Sequence, residues 1–283
     1  MRRLGLFLLI LCGVLPAVAA PQSTAQAVSL ATKDGWTLAA LYLPAQPEQR
    51  TVILLHDLKK SKEAFSSFQA ALAKEGMGYL ALDLRGYGQS TGQGRAASFA
   101  REGVDNPFNK MTRDVDAAVE FLRKKQVPLE QMCILGAGLG ANVAAKSMTF
   151  WPDIPLAALI SPTANTRDVL TIPALRIYKG NLLIAAAAAD KKLFLEASMI
   201  RNVAYLTMGA DSGQITFLTA YDKTSHEMLD QYLIPAVIQW LKTPQRPEII
   251  ADEPMEPNAT VETEGIKVEP SGTEESLVPS VLN

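Results

Sequence analysis

The 283-residue sequence contains only two cysteines, and this scarcity limits what can hold the fold together. Cys12 lies in an apolar N-terminal run, so a chain that loses this run keeps Cys133 as its sole cysteine. A single cysteine cannot form an internal disulfide, which excludes the small disulfide-stapled domains of exported proteins. Because Cys133 lies in an apolar stretch, we expect a buried core residue rather than a reactive thiol. The length suffices instead for one large α/β domain with its own core.

The sequence also has no apolar run as long as an ordinary transmembrane helix, although its N-terminus comes closest. A basic N-terminus precedes an apolar run at residues 4–15, and Ala17-Val18-Ala19 then offers the small-x-small pattern that signal peptidase accepts. We interpret residues 1–19 as a cleaved signal peptide, with Ala25-Gln26-Ala27 as a second cleavage site and an uncleaved anchor as the competing reading. The protein is therefore predicted to be exported, periplasmic or extracellular, and to meet a membrane only through an uncleaved signal.

Basic charge is not in excess, since the formal net charge is −2 at pH 7. Residues 246–283 hold nine acidic side chains against two basic ones, together with five prolines and no aromatic residue. Without the N-terminal signal-like residues, the rest of the chain is near neutral, at about +3, and has no basic stripe, so nucleic-acid binding gains no support. An acidic, proline-rich segment without aromatic residues cannot bury enough apolar surface to fold alone. We predict that residues 244–283 form a disordered tail, for which the sequence identifies no protein partner.

Between these ends, strand-like and helix-like segments alternate. Residues 28–32 and 36–43 flank a turn and predict an opening hairpin, and the apolar run at 51–56 suits a strand buried on both faces. Later segments predict a helix at 193–201 and a closing helix at 228–241. The alternation predicts one α/β domain over residues 28–243, after a flexible segment at 20–27, with a mostly parallel sheet covered on both faces. Active sites in such sheets lie at the carboxyl ends of strands. Five stretches meet this condition: His56–Leu58, Asp83–Ser90, Gly138–Leu139, Asp190 and the loop around His226.

One of these strand ends has the pattern of a nucleophile elbow without its nucleophile. Gly136-Ala137-Gly138-Leu139-Gly140 follows an apolar strand and opens a helical segment. In the G-x-S-x-G elbow, a strand turns sharply into a helix and exposes the central side chain above the sheet. Both flanking glycines are present, but Gly138 stands at the serine position. Glycine tolerates positive φ at such a turn, so a purely structural turn is also compatible with the pattern.

Three motifs follow strand-like runs: VILLHD at 52–57, YLALDLRGYGQSTG at 79–92 and CILGAGLGANVAA at 133–145. Together they resemble the α/β-hydrolase superfamily, specifically its exported, lidless members of the esterase and dienelactone-hydrolase type. The first is similar to the oxyanion-hole strand, the second to the Asp-x-Arg-Gly-x-Gly-x-Ser turn, and the third to the elbow with its helix. The resemblance covers about residues 28–242. It implies an α/β-hydrolase fold with no sizeable lid, no cofactor and no metal.

The resemblance also implies which residues form the site. The superfamily orders its triad as nucleophile, acid and histidine, and Gly138, Asp190 and His226 occur here in that order. Gly138 is then a degenerate nucleophile position. In an intact triad the histidine takes the serine's proton, and the acid orients the histidine. The oxyanion would be held by the backbone N–H groups of Leu58 and Leu139.

Asp57 stands where the superfamily usually has glycine. Its carboxylate would oppose a developing negative charge if it pointed inward, and it could equally point to solvent. We expect His56, just before it, to pack structurally beneath the oxyanion loop. A replacement nucleophile would have to come from Ser161 or Ser90, and either would need to reach the histidine.

A different class of function is suggested by GAGLGA at 136–141, which formally satisfies the dinucleotide-binding pattern G-x-G-x-x-A. The context opposes it, because such a fingerprint belongs to the first strand of its unit. It also needs an acid about 20 residues later, where Leu159-Ile160-Ser161 stand instead.

We therefore expect a non-hydrolytic protein of the hydrolase fold that acts as a binding or interaction module, with a small acyl or ester-like ligand as its candidate partner. The alternative is an active carboxylic-ester, lactone or thioester hydrolase that uses a non-standard nucleophile or a water molecule activated by His226.

Overall fold

The computed structural model of the chain describes residues 24–103, 105–209, 212–221, 225, 228 and 232–244. The predicted signal peptide, nearly all of the predicted acidic tail and His226 lie outside the described residues. The predictions made for them therefore stay predictions.

A central sheet of eight strands organises the described chain, and a two-stranded hairpin lies apart from it. In the central sheet the spatial order is β1-β2-β4-β3-β5-β6-β9-β10 once the strands are numbered along the chain. The second strand is antiparallel to both of its neighbours, and all other pairs are parallel. The mostly parallel sheet and the opening hairpin predicted from the sequence are thereby confirmed. The strands are β1 Gln26–Ala31, β2 Thr37–Leu43, β3 Thr51–Leu55, β4 Gly78–Leu82, β5 Met132–Ala137, β6 Leu156–Ile160, β7 Asn165–Thr166, β8 Val169–Leu170, β9 Asn181–Ala187 and β10 Ile215–Ala220.

Helices cover both faces of the sheet. α2, α3 and α5 bury Val115, Val143 and Ile200 in one core, while α1 and α6 bury Leu72 and Trp240 in the other. None of the helices in the described part of the chain has the length and apolar character needed to span a bilayer. The bounds are α1 Ser66–Lys74, α2 Thr112–Lys124, α3 Leu139–Ser147, α4 Ile172–Leu175, α5 Lys191–Met208 and α6 Leu233–Lys242.

The strand β3 shows why its sequence is apolar without interruption. All five of its residues are buried, and side chains alternate between the two faces along a strand. Ile53 and Leu55 enter the first core, whereas Val52 and Leu54 enter the second. Cys133 on β5 is also fully buried in the second core, and burial raises the pKa of its thiol to about 12. The expected core role of this cysteine is confirmed.

A buried ionic network fixes the segment that follows β4. The Arg85 guanidinium donates to the Asp114 carboxylate from Nε at 2.7 Å and lies 2.6 Å from it through Nη2. Its Nη1 donates to Asp34 at 2.7 Å. Asp34 lies in the turn between β1 and β2, and Asp114 lies on α2, so one side chain joins three parts of the fold. The Arg85 and Asp114 side chains are almost completely buried.

Candidate functional site

Gly138 forms the junction between β5 and α3. Its φ of +52° lies in the left-handed region that favours glycine. The flanking glycines are needed for a different reason, namely close packing. A Cβ at Gly136 would overlap the backbone of Gly140, and a Cβ at Gly140 would overlap the carbonyl of Leu55. The sharp strand-to-helix turn inferred from the sequence is thus present at this position.

The Asp57 side chain occupies the space directly beside Gly138. A Cβ added to Gly138 would overlap the Asp57 carboxylate. Oδ1 of Asp57 accepts hydrogen bonds from the backbone N–H groups of Leu58 at 2.6 Å and Leu139 at 2.8 Å. The sequence left the direction of this side chain open, and in the structure it points inward. The two N–H groups expected to bind an oxyanion both donate to a carboxylate of the protein itself.

The surroundings of this oxygen favour a negative charge. Leu139 is the first residue of α3, so the Asp57 carboxylate lies at the helix N-terminus, where the dipole and the unpaired N–H groups attract anions. Hydrogen bonds from N–H to a charged carboxylate are also stronger than those between neutral groups. An internal carboxylate therefore has the position that a reacting oxyanion would need.

The His56 side chain holds the loop that carries Asp57. Nδ1 of the buried ring lies 2.8 Å from the Asp57 carbonyl oxygen, and Nε2 accepts the Leu84 N–H at 3.1 Å. Because Nε2 accepts, Nδ1 carries the proton and donates it to the carbonyl. Tyr87 packs edge-on against the ring, with 5.2 Å between the centroids. Both ring nitrogens are thus engaged in holding the loop, in agreement with the structural role expected for His56.

We expect the neutral form of His56 to make stability depend on pH. Burial lowers the pKa of His56 below its ordinary value of 6.5, so the unfolded chain binds a proton more readily than the folded chain. The stabilisation that neutral His56 contributes to the folded state is complete above pH 6.5, and it is lost as the pH falls through the folded-state pKa of this histidine. The free energy of unfolding in urea should fall by up to about 1.4 kcal/mol per pH unit below 6.5 from this one group. A His56→Gln variant should lack that component.

Proton NMR provides the direct control, because the chain has only two histidines. The His226→Ala variant assigns the resonances. A His56 titration midpoint at or above 6.5 would show that burial does not hold the ring neutral.

Asp190 lies at the same cleft, directly before α5. Its Oδ2 accepts the Ser225 N–H at 2.8 Å, which joins it to the segment that precedes His226 in the chain. Asp190, Gly138, Leu58 and Leu139 all line one cleft. The structure thus brings together four of the five predicted site residues, and the role of His226 stays a prediction.

The two alternative serines lie in different environments. Ser90 is buried in the turn after β4, where its hydroxyl donates to the Asp83 carbonyl at 2.7 Å and accepts the Ala39 N–H at 2.9 Å. It does not line the cleft. Ser161 does, and among the described residues its buried hydroxyl has no hydrogen-bond partner. Its φ of +50° is an uncommon conformation for serine.

The cleft has a volume of about 1460 Å³ and lies beyond the carboxyl ends of the parallel strands. Phe65, Ile160 and Leu193 contribute apolar surface to it. Tyr87 lies in the predicted stretch Asp83–Ser90 without having been assigned a role, and sequence reasoning missed Arg167 altogether. Burial raises the pKa of Tyr87 to about 12, against the opposing effect of the Arg167 charge. The Arg-Gly-Tyr-Gly turn marks the position of Tyr87 in the sequence, whereas no motif marks Arg167.

Metal binding has no obvious location in the part of the chain that the structure describes. There, no group of three or more His, Cys, Asp or Glu side chains is placed to hold an ion.

Several solved structures share this architecture. An esterase from Pyrococcus furiosus is 16% identical, with a TM-score of 0.60 over 77% of this chain and 89% of that chain. An esterase from Exiguobacterium antarcticum is 13% identical, with a TM-score of 0.61 over 77% of this chain and 100% of that chain. Dienelactone hydrolase from Anabaena variabilis is 14% identical, with a TM-score of 0.61 over 77% and 94%. At these identities the likeness shows the fold, which is the α/β-hydrolase fold.

No curated protein sequence matches the chain. A family profile does, namely serine aminopeptidase, S33, over residues 46–205, which is more than half of the chain. The matched range includes β3 and the Asp57 that follows it, the β5–α3 junction at Gly138, and Asp190. The chain therefore belongs to the serine aminopeptidase S33 family of α/β-hydrolase-fold proteins.

Proposed function

We propose that this protein binds a small acyl or ester-like ligand in its cleft without hydrolysing it. One observation carries the proposal. The Asp57 carboxylate accepts hydrogen bonds from both Leu58 and Leu139, and it fills the space that a side chain at Gly138 would need.

Acyl transfer requires a nucleophile at the elbow and donors for the oxyanion. Glycine supplies no nucleophile, and both N–H groups are already engaged. Removal of a single oxyanion-hole donor typically lowers kcat by about 10²–10³-fold. Here a negative charge also lies where negative charge would develop. Both requirements for the chemical step are thus unmet around Gly138.

Ligand binding depends on other features, which are retained. The cleft is large enough for a small organic molecule and presents apolar surface together with polar groups. The similar structures include esterases and a dienelactone hydrolase, which supports an acyl-, ester- or lactone-like ligand.

Export of the protein to the periplasm or the outside of the cell is part of the same proposal, and the signal-like N-terminus supports it. N-terminal sequencing of the protein recovered from those fractions tests it, since an intact N-terminus would contradict cleavage.

The wild-type protein is expected to show no enzymatic turnover of p-nitrophenyl acetate or butyrate. Its rate should equal that of the His226→Ala variant, because neither chain has a nucleophile at the elbow. Absorbance of released p-nitrophenol measures both rates. Steady turnover that disappears in His226→Ala would refute the non-hydrolytic proposal.

A second candidate function, hydrolysis by a displaced nucleophile, is favoured by Ser161. Its hydroxyl, which has no partner among the described residues, and its left-handed backbone at the cleft are features that also occur at reactive residues. If Ser161 is the nucleophile, a fluorophosphonate should label the wild type and should fail to label Ser161→Ala. The control is Ser66→Ala, which removes another serine of the cleft wall and should keep the labelling. Water activated by His226 has less support, since Asp57 engages the donors that it would need.

A further inference from the structure

The wall of the cleft collects cationic side chains from three separate loops. The basic lining residues are Lys59, Lys60, Arg95, Arg101 and Arg167, and the acidic ones are Asp57, Glu63 and Asp190. The described part of the lining therefore carries an excess of two positive charges, in a chain whose formal net charge is −2. Such a concave surface raises the local concentration of anions.

The acidic residues of the cleft already have other partners. Asp57 accepts the two backbone N–H groups, Glu63 lies 3.0 Å from the Lys62 ammonium, and Asp190 accepts the Ser225 N–H. Within the described residues, none of the five cations of the wall forms an ion pair with a carboxylate. The acids therefore form no ion pair with these cations, and the wall keeps its excess of two positive charges.

Arg167 is the best-positioned of these cations. It lies in the turn between β7 and β8, where its φ of +56° and the +62° of Asp168 define a tight hairpin. The residue is half-buried, its guanidinium carbon lies 6.0 Å from the centre of the Phe108 ring, and its charge acts on the Tyr87 hydroxyl. No hydrogen bond from its side chain to another described residue is formed. A planar guanidinium held in this way can donate two parallel hydrogen bonds to a carboxylate or a phosphate.

We propose that the cleft takes ligands that carry a carboxylate or phosphate group, and that Arg167 binds this group. The inference rests on the proposed binding function and names its ligand class. Asp57 repels a second anion from the elbow, so the anionic end of the ligand lies toward Arg167 and Tyr87. The apolar part then lies against Phe65 and Ile160.

Isothermal titration calorimetry of the full chain with hexanoate, hexanamide and inorganic phosphate tests this proposal. We expect hexanoate to bind more tightly than hexanamide, which has the same size and no charge. Arg167→Met should weaken hexanoate binding by roughly 10–100-fold, the loss expected for hydrogen bonds to a charged group. Arg176→Met is the matched control, since Arg176 is exposed and does not line the cleft. Arg167→Gly removes the charge while easing the positive φ, and should weaken binding equally.

The outcomes separate the ligand sources and the two proposals. Arg167-dependent binding of phosphate but not hexanoate assigns a phosphate ligand, and the reverse assigns a carboxylate. The inference would be overturned if neither hexanoate nor phosphate bound in a way that depends on Arg167. It would also be overturned if hexanoate and hexanamide bound with equal affinity and phosphate did not bind. That result would leave the absence of a nucleophile untouched, whereas ester turnover would refute the proposed function and leave anion binding standing.

Discussion

The double variant Asp57→Gly/Gly138→Ser is expected to react with a fluorophosphonate, whereas the wild type and Gly138→Ser alone stay unlabelled. The reason is the overlap between a Cβ at position 138 and the Asp57 carboxylate. A serine introduced alone has to compete with that carboxylate for space, and the N–H groups of Leu58 and Leu139 stay engaged. Glycine at position 57 is the residue usual in the superfamily, and it frees both donors.

The expected gain in hydrolysis rate follows from the two backbone N–H donors that the double variant frees. One oxyanion-hole hydrogen bond is worth about 10²–10³-fold in kcat. The double variant should therefore hydrolyse p-nitrophenyl butyrate at least about 10²-fold faster than Gly138→Ser. Intact-mass spectrometry detects the covalent adduct, and stopped-flow absorbance detects a burst of p-nitrophenol.

Two controls make this result interpretable. His226→Ala in the double-variant background should abolish the burst, since the serine then has no base. Asp57→Gly alone should stay inert, because it frees the donors without supplying a nucleophile. A double variant that folds with wild-type circular dichroism yet remains inert would show that Asp57 and Gly138 are not the only obstacles. Labelling of Gly138→Ser alone would show that Asp57 does not block the site.

Arg85→Met is expected to lower the free energy of unfolding by about 3–5 kcal/mol, the usual effect of breaking a buried ion pair. Methionine fills a similar volume but leaves the fully buried Asp114 carboxylate without its guanidinium partner. It also releases the β1–β2 turn at Asp34 from α2. For a domain of this size, the melting temperature should fall by roughly 10 °C. Urea unfolding followed by circular dichroism measures the free energy directly.

The matched control is Arg123→Met, in which the arginine is exposed and lies 3.9 Å from the half-buried Glu120. That change should cost less than about 1 kcal/mol. Adding Asp114→Leu to Arg85→Met should recover part of the loss, because it removes the unpaired buried charge. Equal stability of the two arginine variants would show that the network contributes little.

The features predicted correctly from the sequence are those encoded by neighbouring residues. The uninterrupted apolar run at 51–56 reflects burial on both faces, and the glycines at 136 and 140 reflect contacts within one strand–turn–helix unit. The helix after Asp190 was predicted too short, since α5 extends from Lys191 to Met208. Leu195 and Leu206 are exposed on it, which weakens the apolar periodicity used to predict its length.

The features that sequence reasoning could not supply depend on contacts between distant segments. The direction in which the Asp57 side chain points depends on the contact between the loop after β3 and the N-terminus of α3. The two residues that meet there are 82 positions apart in the chain. Tyr87 and Arg167 likewise meet at the cleft only because the turn after β4 and the β7–β8 hairpin both border it. No local sequence pattern encodes these contacts between distant segments. The strand-to-helix turn at Gly138 was therefore predictable, whereas the position of the Asp57 carboxylate beside it was not.

The shared space between Asp57 and Gly138 has an evolutionary consequence. On the proposed function, reversal to a hydrolase requires two substitutions, and neither alone confers a selectable gain. Serine at the elbow first meets the carboxylate, and glycine at position 57 first opens a site with no nucleophile. On the same proposal, hydrolysis once lost is difficult to regain, and selection then acts on the ligand that the cleft binds rather than on a bond that it cleaves.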